Sequence, residues 1–93
     1  MSPDKSILVT GASGLIGGLA ARDLSADYTV SALNRRAVDG IPTTQADLTD
    51  LEAIRPAFDD IDTVVHMAAY LGPDVQSHFA INVGGTYNVL EAA

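Results

Sequence analysis

Three glycines in LVTGASGLIGG (residues 8–18) carry the strongest chemical signal in this 93-residue chain: Gly11, Gly14 and Gly17, spaced G-x-x-G-x-x-G. Glycine loses more backbone entropy on ordering than any other residue, so a helix start normally avoids it. A main chain stripped of side chains here implies that something must approach it closely. An apolar run precedes these glycines and an amphipathic run follows them, which is the setting of a phosphate cradle at a helix N-terminus. In such a cradle Gly11 takes the tight turn, Gly14 lets the backbone meet a pyrophosphate, and Gly17 lets the helix pack near its strand. A P-loop is excluded, because no Lys-Ser or Lys-Thr follows the glycines. The competing reading is a structural turn that holds no ligand.

Leu33-Asn34-Arg35-Arg36 falls at the tip of the second expected strand, where a nucleotide-binding unit meets the adenosine ribose. NAD binders commonly place an acid there for the 2′-hydroxyl, whereas a nearby arginine suits a 2′-phosphate. Asn34 is neutral, and Arg35 and Arg36 can pair with a phosphate or lie over the adenine. NADP is therefore favoured over NAD. NAD stays open, because an amide also bonds a hydroxyl and because both arginines also read as solvated loop charges.

Other reactive residues point to less. His66 ends a buried strand and reads as packing or making one hydrogen bond. His78 has Asp74 four residues back, and one such pair cannot hold zinc, so no metal site is expected. Asp59, Asp60 and Asp62 read as a solvated turn. Tyr70 stands where a pocket would open, with packing and substrate contact both allowed. Tyr87 lacks a lysine four residues on.

The elements that must position these residues alternate. Residues 6–10 form a β-branched and apolar run, a strand buried on both faces. Ile16, Leu19, Ala20 and Leu24 recur at helical spacing, giving a helix over about 15–25. Strands are expected at 28–33, 43–46 and 62–66, with a loop over 34–42 broken by Gly40 and Pro42. Thr49 and Glu52 fit a capping box for a helix that buries Leu51, Ile54 and Phe58 and is kinked or stopped early by Pro56. From Pro73 or Asp74 a long helix is expected, with Phe79, Val83 and Leu90 among its buried positions. Strand alternating with helix predicts an α/β fold, a Rossmann-like doubly wound parallel sheet. NVLEAA ends in mid-pattern with no stop signal, so residues 1–93 are expected to be the N-terminal part of a longer protein.

Composition bounds the function. Hydrophobic residues make up 47%, enough for a core, and there is no cysteine for a disulfide or thiolate site. The net charge of −7 repels phosphate backbones, so nucleic acid is not an expected partner. No run approaches the ~20 apolar residues of a membrane span, and no signal peptide is recognisable, which makes a soluble cytoplasmic protein the default. Ten of the 12 acids are aspartate and Lys5 is the single lysine. That excess fits a host with high internal salt as well as it fits compositional scatter.

The loop Thr10-Gly-Ala-Ser-Gly-Leu-Ile-Gly17 resembles that of the extended short-chain dehydrogenase/reductases, the NAD-dependent epimerase/dehydratase group. Three further segments match in order: Asp47-Leu48 after the third strand, His66-Met-Ala-Ala69 at the end of the fourth, and Asn82-Val-Gly-Gly-Thr-Tyr-Asn-Val-Leu-Glu-Ala-Ala93 in the long helix. The resemblance implies that Gly11, Ser13, Gly14, Leu15, Ile16 and Gly17 meet the cofactor, with Asn34, Arg35 and Arg36 at its ribose. It implies that Asp47 and Leu48 border the adenine, that Met67, Ala68 and Ala69 pass the nicotinamide-side ribose, and that Asn82 supports the active site. The family's Tyr-x-x-x-Lys pair is not present in these residues, so the catalytic base is expected beyond residue 93.

The implied activity is hydride transfer by an NAD(P)-dependent oxidoreductase or epimerase on a sugar, nucleotide-sugar or related hydroxyl/carbonyl substrate, possible as a homodimer. The 12 residues between Ala69 and Asn82 are a compact spacing that resembles the uronate dehydrogenases. Two alternatives are a non-catalytic NAD(P)-binding redox-sensing module, separated by the absence of a downstream Tyr-x-x-x-Lys, and a complete but degenerate product that would expose its last strand and helix.

Overall fold

A computed structural model describes residues 5–69 and 71–93, with the backbone alone at Leu15. Four strands, β1 (Ser6–Thr10), β2 (Thr29–Asn34), β3 (Thr43–Gln45) and β4 (Thr63–His66), form one parallel sheet in the order β3-β2-β1-β4. The register pairs Thr10 with Leu33 on one side and with His66 on the other. Successive side chains of β1 point to opposite faces, and both faces are apolar. Ile7 and Val9 pack with Ala12, Ala21, Val30 and Ala32 under α1 (Leu15–Ser25). Leu8 packs with Leu33, Leu48, Ile54, Ala57, Phe58 and Val89 on the other. This is the doubly wound Rossmann-like arrangement that alternation of strand and helix predicts. The order turns back at β1, which leaves a crevice at the carboxyl ends of β1 and β4.

Helix α2 (Leu51–Ile54) tightens into a 3₁₀ turn, Arg55–Phe58, where Pro56 removes a helical donor. Its cap lies one residue later than the expected Thr49. Asp50 accepts the Ala53 N–H, while Thr49 is taken by Asp47, and Glu52 pairs with Arg55 at 2.9 Å instead of reaching back. Asp62 is likewise not a free solvated charge: its carboxylate accepts the Ser6 N–H at 2.8 Å and so pins the start of β1 to β4.

The last helical region departs most from expectation. It opens as α3 (Val75–Ser77), widens into a π-helical stretch, His78–Gly85, and closes as α4 (Thr86–Ala92). Phe79, Val83 and Leu90, expected in the core, are 70%, 55% and 72% exposed, and the buried positions are Gly85 and Val89. Both stripes of this helix are apolar, so spacing alone could not choose between them. Gly85 decides the outcome: a Cβ there would lie 3.0 Å from the Leu48 Cβ, so the bare backbone lets the helix settle on Leu48. Asn88 Nδ2 then donates to the Leu48 carbonyl at 2.8 Å, fixing that contact.

Candidate functional site

The three glycines of the turn are bare for different reasons. Gly11 has φ +73°, and a Cβ on it would stand 2.7 Å from the Ala68 amide nitrogen. Gly17 has no room either, since its Cβ would meet the Gly11 carbonyl oxygen at 2.2 Å. Both positions are therefore dictated by the chain's own packing. Gly14 is not. Its backbone is extended, with φ −77° and ψ 171°, and an added Cβ would find only the Gly11 oxygen at 3.4 Å, an ordinary contact. Among the described residues nothing requires glycine there. Gly14 is also the N-cap of α1, with no side-chain cap and no acid in the first turn, so the helix end presents uncompensated N–H groups.

A cleft of about 490 Å³ opens over this turn, within the range of small-molecule sites. Gly11, Ser13, Gly14, Ile16 and Gly17 line one side; Asn34, Arg35 and Arg36 line the rim at the tip of β2. Asp47 and Leu48 follow β3, and Met67, Ala68 and Ala69 follow β4. These residues come from four strand ends and were each expected at the site. Leu33, Ala46, Leu71 and Ile81 also line it and were missed. Leu33 and Ala46 flank strand tips, so the rule that ligands meet the carboxyl ends of strands was the available signal. Asn82 does not line the cleft, although its neighbour Ile81 does. The Leu15 side chain and Tyr70 lie outside the described residues.

At the rim the Asn34 amide is held in one orientation. Its Nδ2 donates to the Arg36 carbonyl at 2.8 Å, which turns Oδ1 toward the Ser13 hydroxyl, its donor at 3.4 Å. Arg35 and Arg36 are exposed. Asp47 is held below the ordinary carboxylate range, first by the Thr49 backbone N–H, then by the Thr49 hydroxyl, with the Arg35 charge adding to the effect.

Beneath the cleft, Thr10 is the one buried polar side chain among the described residues. Its hydroxyl oxygen accepts the N–H groups of Met67 at 3.0 Å and Ala68 at 3.2 Å. It also lies 2.6 Å from Nδ1 of His66, whose Nε2 is 3.0 Å from the Thr86 hydroxyl. His66 thus makes two hydrogen bonds where one was expected, and burial lowers its pKa. Farther along, His78 donates through Nε2 to the Gly72 carbonyl at 2.6 Å, and its Nδ1 accepts from the Asn82 amide at 3.2 Å. Among the described residues no group of three or more His, Asp or Glu side chains could hold a metal ion. No helix among the described residues is long and apolar enough to cross a membrane.

A bare N-cap at the switch point of a parallel sheet fits a pyrophosphate, and the sequence has counterparts that agree. The profile of the NAD dependent epimerase/dehydratase family matches residues 7–93. The chain belongs to that family. The L-arabinose 1-dehydrogenase (NAD(P)(+)) of Haloferax volcanii is 40% identical over 89 residues, 94% of this chain and 35% of that protein. A short-chain dehydrogenase/reductase superfamily protein of Agrobacterium tumefaciens, solved with bound NAD, superposes with a TM-score of 0.84 at 30% identity. The match covers 95% of this chain and 28% of that one. Uronate dehydrogenase from the same organism gives a TM-score of 0.86 at 26% identity, over 99% of this chain and 37% of that one. The chain thus spans about a third of the length of these relatives. It is the NAD(P)-binding part of an epimerase/dehydratase-family protein.

Proposed function

We propose that the chain supplies the coenzyme site of an oxidoreductase or epimerase that moves a hydride between nicotinamide and a hydroxyl- or carbonyl-bearing carbon of a sugar-like substrate. The observation that carries this reading is Gly14: a residue kept bare on the cleft floor with no reason for it among the described residues. A pyrophosphate lying across it accounts for the missing side chain and for the uncapped end of α1. When bound, the dinucleotide supplies the hydride acceptor or donor; the residues described here bind and orient it. Met67 and Ala68 set the backbone over which its reactive end would pass. Asn82 would support the substrate side.

Both coenzymes are proposed to bind, with NADP favoured. The fixed Asn34 Oδ1 is an acceptor for a ribose hydroxyl, as an acid would be, but carries no charge to repel a 2′-phosphate. Arg35 and Arg36 are on hand to pair with that phosphate. A sugar-like substrate belongs to the same proposal, supported by the L-arabinose and uronate dehydrogenases among the relatives. Calorimetric titration of the full-length protein with NAD and NADP tests the coenzyme site. Micromolar-range heats for both, stronger for NADP, are expected; no heat with either would end the reading.

A further inference from the structure

Counting lone pairs around Thr10 locates a proton. A hydroxyl has two acceptor sites and one donor hydrogen. The N–H groups of Met67 and Ala68 occupy both acceptor sites of the Thr10 hydroxyl oxygen, the Met67 N–H being shared with the Thr10 main-chain carbonyl at 3.1 Å. Its remaining capacity is the O–H, which must donate to His66 Nδ1 at 2.6 Å. Nδ1 is therefore the lone-pair nitrogen, and the neutral ring carries its hydrogen on Nε2, which donates to Thr86 at 3.0 Å. The chain of donors runs one way, from two backbone amides at the cleft through Thr10 and His66 to the first residue of α4.

We propose that His66 is a positioning residue for the coenzyme groove, held as the Nε2–H imidazole so that Thr10 can clasp the Met67–Ala68 backbone against the glycine turn. The proposal rests on the coenzyme reading above. A hydrogen on Nδ1 would compete with that clasp, because it needs an acceptor site on the Thr10 hydroxyl: either Met67 falls back on the Thr10 main-chain carbonyl alone or Ala68 gives up its bond to the hydroxyl. The tolerance for such a shift is small. Ala68 already stands so near Gly11 that a Cβ on the glycine would lie within 2.8 Å of the Ala68 Cα. The link to Thr86 ties the same backbone to the point where the π-helical stretch gives way to α4. His66 thereby connects the cleft floor to the helical region that carries Asn82. Burial of the ring, with no charged side chain acting on it, favours the neutral form that this wiring needs.

Two measurements on the full-length protein test the assignment. Nitrogen-15 spectra of the imidazoles at pH 7 should show His66 as the Nε2–H tautomer; an Nδ1–H or doubly protonated ring would overturn the proposal whatever the variants do. The variants then separate the two bonds. In His66→Asn the side-chain oxygen can take the place of Nδ1 and accept from Thr10, whereas in His66→Gln the amide reaches the Nε2 position and leaves Thr10 without its acceptor. NAD affinity should fall about tenfold in His66→Gln, the worth of one charge-free hydrogen bond lost in a buried setting, and within about twofold in His66→Asn. Equal affinities in wild type and His66→Gln would overturn the positioning role alone. No binding of NAD or NADP by wild type would overturn the coenzyme reading and this inference together.

Discussion

The floor and the rim of the cleft are built on different principles. The floor, from Thr10 through Gly17 and across to Ala68, is set by main-chain contacts that leave no room for a Cβ at Gly11 or Gly17. The rim, Asn34-Arg35-Arg36, is set by side-chain hydrogen bonds and exposed charge. On the proposed reading, the floor admits either nicotinamide dinucleotide and the rim chooses between them. Substitutions on the floor should therefore break the fold or binding outright, and those on the rim should shift preference at small cost in stability.

Gly17→Ala carries the largest expected effect. The new methyl meets a main-chain oxygen at 2.2 Å that cannot swing away, and the expected loss is about 3 kcal/mol or more despite alanine's better helix propensity. The thermal midpoint should drop by more than about 12 °C. Gly11→Ala comes next, at about 2–3 kcal/mol, because it adds a left-handed backbone penalty to contact with Ala68. A midpoint within a few degrees of wild type for either variant would mean that the turn is looser than its geometry.

On the rim, Asn34→Asp should lower the melting midpoint by only a few degrees, for the lost Nδ2 bond to the Arg36 carbonyl, and raise the ratio of NAD to NADP affinity about tenfold or more, since a carboxylate would face a phosphate within one Debye length. Arg35→Ala should move the ratio the same way by a smaller factor, about threefold to tenfold, the range of an exposed ion pair to phosphate. An unchanged ratio in both variants would remove the rim from coenzyme choice.

The smallest effect is on pH dependence. Burial lowers the pKa of His66, so the unfolded chain takes up a proton first as pH falls below the ordinary imidazole value of about 6.5. Stability is thus complete above that value and declines below it. Asp47, held down by the Thr49 N–H, adds a second loss below the ordinary aspartate value of about 3.9. Urea midpoints measured against pH should show both declines, and His66→Asn should remove the first.

Much of the floor was legible in the sequence, because local pattern and local geometry coincide there. The apolar run 6–10, the glycine spacing and the helical period after it mark β1, the turn and α1 with their observed limits. What the pattern could not do was distinguish the glycines. Gly11 answers to Ala68, a contact that exists only after β4 has paired with β1, and Gly17 answers to the closed turn at Gly11 and Ala12; that comparison is what isolates Gly14. The long-range features were out of reach for the same reason. Phe79, Val83 and Leu90 looked as apolar as Val89 and Ala92, and only the position of Leu48 under Gly85 selects the buried stripe. Asp62 looked like a solvated charge because its partner, the Ser6 amide, is brought to it by strand pairing. The orientation of the Asn34 amide likewise depends on a carbonyl two residues on, which residue type alone does not show.

Gly14→Ala is the substitution that separates a bare backbone needed for folding from one needed for a ligand. Its melting midpoint and its affinity for NAD and NADP, measured in the full-length protein beside wild type, decide the matter. We expect a midpoint within about 2 °C of wild type, the scale of about half a kcal/mol at an N-cap, together with a loss of at least about tenfold in affinity for both coenzymes. Full affinity in a folded Gly14→Ala protein would contradict the claim that this glycine is bare for a pyrophosphate.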